Sequence, residues 1–207
     1  MTGPVVATCV TGAALAAYLW GERTENRALK AVAKPIASTG FIAVALLCGA
    51  TGSTYGQVVL VALALSWVGD VALLGHARPA FLGGLVAFLL GHVGFCVAFV
   101  VRGIDATWAL AAVVPMFAIA FGVHRWLSPK VPEKLRTAVT AYIVVISVMV
   151  TLATGTADPV LIGAATAFWL SDITVAIDRF AGGGFGNRLV GLPLYYGAQV
   201  VFAFSVG

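Results

Sequence analysis

Apolar runs of bilayer-crossing length, broken by short polar connectors, set the plan of this chain. Eight runs stand out, at residues 4–20, 35–50, 56–75, 79–101, 106–127, 136–154, 158–177 and 189–206. A helix rises 1.5 Å per residue, so about 20 apolar residues cross the hydrocarbon of a membrane. The second run is the shortest, and its helix is expected to begin within Lys30–Lys34, with Lys34 reaching back toward the headgroups. The connectors are rich in Gly and Pro and leave no room for a soluble domain. The pattern predicts an all-α, polytopic membrane helical bundle of about eight transmembrane helices, with residues 1–207 forming a single domain.

Composition supports that plan. The 207 residues are 61% hydrophobic and 10% charged, against about 25% charged in a soluble domain. Mean hydropathy is +1.03. The 24 glycines suit helices that pack closely in a membrane. Cys9, Cys48 and Cys96 each lie in a separate apolar run, which argues against a disulfide framework and predicts small buried side chains. Met1-Thr2-Gly3-Pro4 has no basic lead-in, so the first run reads as a membrane helix rather than a cleaved signal.

The net charge of +4 carries topology rather than nucleic-acid binding. Arg23, Arg27, Lys30 and Lys34 fall in or beside the first connector, and Arg78 in the third. Arg125, Lys130, Lys134 and Arg136 fall in the fifth, Arg179 and Arg188 in the seventh. Only Arg102 lies in an even connector. The positive-inside rule therefore puts the odd connectors in the cytoplasm and both termini on the extracytoplasmic side. On that orientation Asp70 and Asp172 sit one to two turns above the inner ends of the third and seventh runs. Lys34 lies at an inner end, and Tyr142, Tyr195, Tyr196 and Gln199 in the inner half of the sixth and eighth. His92 is about 13 residues into the fourth, roughly 20 Å deep. These depths predict a polar cavity open to the cytoplasmic side.

The two aspartates are the main candidate chemistry. They occupy related words, Trp67-Val68-Gly69-Asp70-Val71 and Trp169-Leu170-Ser171-Asp172-Ile173, a pattern that would suit a duplicated four-helix unit. A charged side chain at membrane depth costs about 2.5–3.5 kcal/mol on insertion scales, so such residues are functional candidates by default. The bland alternative is a neutral carboxyl bonded to a helix neighbour such as Ser66 or Ser171. Two nearby carboxylates with differing protonation would supply an acid and a base. The same pair suits a proton-coupled transporter. His92, in Gly91-His92-Val93-Gly94, is either a hydrogen-bonded core residue or part of the site. A divalent-metal set of Asp70, His92 and Asp172 is the alternative, but no HExxH-type spacing supports it, and neither metal nor cofactor is expected. Lys34 is a membrane anchor, a cation for a lipid phosphate, or a carboxylate partner. Tyr195, Tyr196 and Gln199 fall on one helix face. His76 and His124, at inner helix ends, are expected to be solvated. There is no Gly-x-Ser-x-Gly elbow, P-loop or dinucleotide fingerprint.

Several words together resemble the YhhN-like lysoplasmalogenase family of eight-helix membrane proteins. They are Lys34-Pro35, Ser66 through Leu73, Phe81-Leu82-Gly83-Gly84, and Phe88-Leu89-Leu90-Gly91-His92. Further on come Tyr142 with Met149, the stretch Gly163 to Asp172, and Tyr195-Tyr196-Gly197-Ala198-Gln199. Phe95 stands where an aromatic tyrosine is more usual, and Phe185-Gly186-Asn187-Arg188 fits the pattern loosely.

The resemblance implies hydrolysis of the vinyl-ether bond of lysoplasmalogens to a fatty aldehyde and a glycerophospho-base. Its partners are then a lysophospholipid substrate and membrane lipids, with no nucleic acid. Asp70, Asp172 and His92 are the expected catalytic groups. Lys34, Tyr142, Tyr195, Tyr196 and Gln199 are expected to bind substrate, Lys34 through its phosphate. The expected location is a bacterial cytoplasmic membrane. The runner-up is a proton-coupled transporter or lipid flippase that uses the same carboxylates.

Overall fold

The computed structural model describes residues 2–75 and 77–207, and all of its long elements are helices. They are α1 (Thr2–Arg23), α2 (Arg27–Leu47), α3 (Thr54–Ala72), α4 (Arg78–Arg102), α5 (Ala106–Leu127), α6 (Glu133–Gly155), α7 (Pro159–Phe180) and α8 (Phe185–Phe204). Single 3-10 turns at Ala50–Gly52 and Ser128–Lys130 join α2 to α3 and α5 to α6. Among the described residues there is no strand. His76 lies outside them.

Local chemistry fixes several helix starts. The Asn26 side chain accepts from Leu29 N–H at 3.0 Å and opens α2 eight residues before Pro35. The second helix therefore begins earlier than its apolar run, and Pro35 lies inside it. Ser53 caps α3 through Gly56 N–H. Asp105 caps α5 and Asp158 caps α7, each through two backbone N–H groups. At Asp105 those N–H bonds hold the carboxyl below its ordinary range.

Seven helices, α1 to α7, are long and apolar enough to cross a membrane, so this is an integral, multi-pass membrane protein. The last helix was expected to be an eighth span of the same kind. At 20 residues it has the length, but Asn187, Arg188, Tyr195, Tyr196 and Gln199 lower its apolarity. Those residues instead face the interior or its charged end.

The helices associate as successive hairpins, α1 with α2, α3 with α4, α5 with α6 and α7 with α8. One core joins α2, α3, α4, α6, α7 and α8 through Phe41, Leu63, Phe95, Phe99, Met149, Phe168 and Phe202. Close approach of α3 to α4 needs missing side chains: a Cβ on Gly69 would stand 2.6 Å from the Phe88 ring, and one on Gly94 would meet Ala62 at 2.9 Å. α5 is peripheral and turns Leu110, Val114 and Phe117 outward, as a lipid-facing helix should. Cys9 is also on the outer face, contrary to the expectation that all three cysteines are buried. Cys48 and Cys96 are half-buried, and all three are free thiols.

Gly3 lies near Leu47, and Gly207 near Cys48, so both termini lie at the end of the bundle where α2 finishes. The opposite end holds Glu22, Arg23, Lys30, Asp178, Arg179 and Arg188.

Candidate functional site

Asp70 sits near the C-terminus of α3, only 2% exposed. Lys34, 6% exposed on α2, places its ammonium 3.2 Å from Oδ1. Two hydroxyls converge on the other oxygen: Ser38 donates to Oδ2 at 2.6 Å and Tyr195 donates to it at 2.7 Å. Ser38 has one proton, and the short contact to a charged acceptor claims it ahead of the Lys34 carbonyl at 3.1 Å. The contact between Ser38 and Tyr196, also 3.1 Å, is then a donation from the tyrosine. Lys34 and Ser38 are one turn apart on α2, so a single helix face supplies both. An ammonium and two hydroxyl donors define Asp70 as a buried carboxylate anion.

Asp172, on α7, has a different setting. Tyr142 of α6 donates to Oδ1 at 3.2 Å. His92 of α4, wholly buried, places Nε2 3.0 Å from Oδ2. These two atoms are close but lack the alignment of a hydrogen bond, and each is otherwise unpaired among the described residues. The ring's Nδ1 lies 2.7 Å from the Phe88 carbonyl oxygen. A carbonyl only accepts, so Nδ1 carries a hydrogen. Nε2 is therefore the ring atom left to face the Asp172 carboxyl, 3.0 Å away and within reach of a transferable proton.

An aromatic wall links the two clusters. The Tyr195 ring packs on Phe88 at 5.7 Å and on Phe168 at 5.4 Å, and Phe168 lies 4.3 Å from the His92 ring. The Tyr142 ring meets His92 edge-on at 5.3 Å. Gln199, one turn beyond Tyr195, donates to Ser66 at 3.3 Å, and its buried Oε1 has no partner among the described residues.

All eight residues singled out from the sequence lie in this interior. Asp70, Lys34, Tyr195 and Tyr196 form one cluster, and Asp172, His92 and Tyr142 another, with Gln199 beside the first. Their pairing differs from expectation. The aspartates do not bond one another, and each instead meets its own basic group. Ser66 and Ser171 do not serve them, since Ser66 bonds the Ala62 carbonyl and Ser171 that of Phe168. The Lys34 ammonium, assigned to a lipid phosphate by the family resemblance, is engaged by Asp70, the carboxylate-partner alternative. Asp70, His92 and Asp172 do not gather as a set of metal ligands among the described residues. His124 was expected in solvent, yet it is half-buried and faces Thr140 at 3.4 Å. Ser38 escaped the sequence reading, although its place four residues after Lys34 marks the same helix face. Phe88 and Phe168 stand in the words that carry the family resemblance, without a role of their own there.

A multi-pass helical protein with two buried carboxylates, one against lysine and one against histidine, is the class that fold and site define. The chain matches the YhhN family over residues 29–206 and belongs to it. It is also similar to lysoplasmalogenase TMEM86B of Sus scrofa, 33% identical over 156 residues, which cover 75% of this chain and 66% of that protein. No solved structure matches it.

Proposed function

We propose that this protein hydrolyses the vinyl-ether bond of lysoplasmalogens, releasing a fatty aldehyde and a glycerophospho-base. Family membership and the named relative support the substrate class, and the two carboxylate settings suit the chemistry. Vinyl ethers resist base and yield to acid. The slow step is protonation of the alkenyl carbon distal to oxygen, which leaves an oxocarbenium ion. Water adds to that cation and loses a proton, and the hemiacetal then collapses to aldehyde and alcohol.

The observation that carries this reading is the contrast between the clusters. In the His92–Asp172 pair a carboxyl oxygen and an imidazole nitrogen stand 3.0 Å apart with no other partner among the described residues, an arrangement that suits a general acid. Asp70, fixed by Lys34, Ser38 and Tyr195, suits a permanent anion beside developing positive charge. The division of labour parallels paired carboxylates in glycoside hydrolysis. Phe88, Phe168 and Tyr195 pack between them and would exclude bulk water. Tyr142 orients Asp172. Lys34 acts through Asp70 rather than on the phosphate. The basic end faces the cytoplasm on the positive-inside rule, so substrate enters from that leaflet.

The test is aldehyde release from lysoplasmenylethanolamine by purified protein. General acid-base help contributes about 10²–10⁴ in rate, so Asp172→Asn and His92→Asn should each lose that much. A fully active Asp172→Asn protein would sink the mechanism. Solute flux into liposomes without aldehyde would favour transport.

A further inference from the structure

A cleft of about 520 Å³ opens at the basic end of the bundle, lined by Glu22, Arg23, Glu25, Gly184, Phe185 and Arg188. Four charges near it are spent on each other. Arg188 bonds Glu22 and, at 3.0 Å, Asp178, while Lys30 lies 3.4 Å from Glu22. Two cations and two anions cancel. The wall then retains one cation and one anion, Arg23 and Glu25, which join no ion pair among the described residues. Both are exposed, and the Arg23 guanidinium lies 5.9 Å over the Phe185 ring. Glu25 is held in the left-handed region at φ 54°, an uncommon state for a residue other than glycine.

Side-chain neighbours relate the cleft to the buried site. Tyr18 is one turn from Glu22 on α1, and the Lys34 ammonium lies 5.8 Å from its ring centroid. Lys34 in turn holds Asp70. One turn of α1, from Tyr18 to Glu22, and one turn of α2, from Lys34 to Lys30, thus separate the Asp70 cluster from the charges at the cleft.

We propose that this cleft is the headgroup cradle for a zwitterionic lysophospholipid: Arg23 takes the phosphate and Glu25 the ammonium, with Arg188, already neutralised, shaping the floor. The assignment rests on the hydrolase reading for the identity of the tail. It adds a selection rule, because a wall with one free charge of each sign favours ethanolamine or choline headgroups over purely anionic ones.

The test is binding to the full-length protein in a neutral maltoside detergent. The probe is a saturated 1-O-alkyl lysophosphoethanolamine, which cannot be cleaved. The matching alkyl lysophosphatidate serves as the anionic comparison. Arg23→Ala should weaken both lipids about tenfold, the loss of one charged contact, and Arg23→Lys should restore most of it. Glu25→Gln should weaken only the ethanolamine lipid. Glycerophosphoethanolamine should compete better than inorganic phosphate. Unchanged binding in Arg23→Ala and Glu25→Gln, or equal competition by phosphate alone, would overturn the cradle. Since the probe is uncleavable, the two readings fail separately. Normal headgroup binding without aldehyde release from the vinyl-ether lipid rejects the hydrolase and keeps the cradle. Aldehyde release with headgroup-blind binding does the reverse.

Discussion

Lys34→Met tests what the buried lysine is for. At 3.2 Å from Asp70, and with an effective dielectric constant near 20, the attraction between the two charges is about 5 kcal/mol. Removing both ions from water costs several kcal/mol each, so the intact pair contributes little net stability. The single variant is another matter. Methionine fills a similar volume but leaves Asp70 buried with only Ser38 and Tyr195 as partners, and breaking a buried pair in this way costs about 3–5 kcal/mol. Asp70→Asn strands the ammonium and should cost a similar amount. The double variant Lys34→Met/Asp70→Asn has no unpaired charge, and it should recover about 2–4 kcal/mol relative to the sum of the singles. Unfolding of the four proteins in mixed micelles, followed by circular dichroism, measures the coupling. The rate assay adds a second axis. If Lys34 works through Asp70, Lys34→Met lowers kcat for aldehyde release with little change in KM. Additive single losses, with a raised KM and normal kcat, would refute the argument and return Lys34 to a lipid phosphate.

Other consequences follow from individual contacts. Tyr142→Phe keeps the ring against His92 but removes the donor to Asp172; kcat should fall about five- to tenfold, matching a hydrogen bond of about 1 kcal/mol, and an unchanged kcat would remove Tyr142 from the site. Ser38→Ala takes a 2.6 Å donor from Asp70 and leaves Tyr196 without its acceptor; a stability loss of about 1–3 kcal/mol is expected in the same unfolding assay. A Cβ on Gly56 would meet backbone atoms of Ala50 at 2.4–2.9 Å, so Gly56→Ala should cost about 1–3 kcal/mol. Gly12, with nothing within 4 Å, should accept alanine with no loss and a gain of up to about 1 kcal/mol. Equal melting temperatures for these two glycine variants would contradict the packing described.

Related partner sets surround the two aspartates. Asp70 on α3 draws on α2 and α8, and Asp172 on α7 draws on α6 and α4. Each thus takes one partner from the preceding helix and one from the last helix of the other four-helix half. That arrangement accords with the shared Trp-x-small-Asp word. The chemistry nevertheless diverges, with lysine on one side and histidine on the other.

The sequence by itself determined the class of fold, because membrane-length apolar runs have few ways to satisfy their backbone other than as helices. It also picked out the residues of the interior, since Asp70, Asp172, His92, Lys34 and Gln199 are costly in apolar surroundings and invite attention one at a time. Periodicity along a helix further relates near neighbours, which is why Tyr195 and Gln199 could be placed on one face and why Ser38 was within reach beside Lys34. It could not relate distant helices. Whether Asp70 meets Asp172 or Lys34 depends on how α2, α3 and α8 rotate and slide against one another, and small residues such as Gly69 and Gly94 set that by admitting Phe88 and Ala62. Only the tertiary structure therefore decided that each carboxylate has its own basic partner, and that Arg23 and Glu25 join no ion pair among the described residues while the charges beside them are neutralised. Ion pairing and proton sharing fall off within a few ångströms, a scale that depth along a helix does not fix.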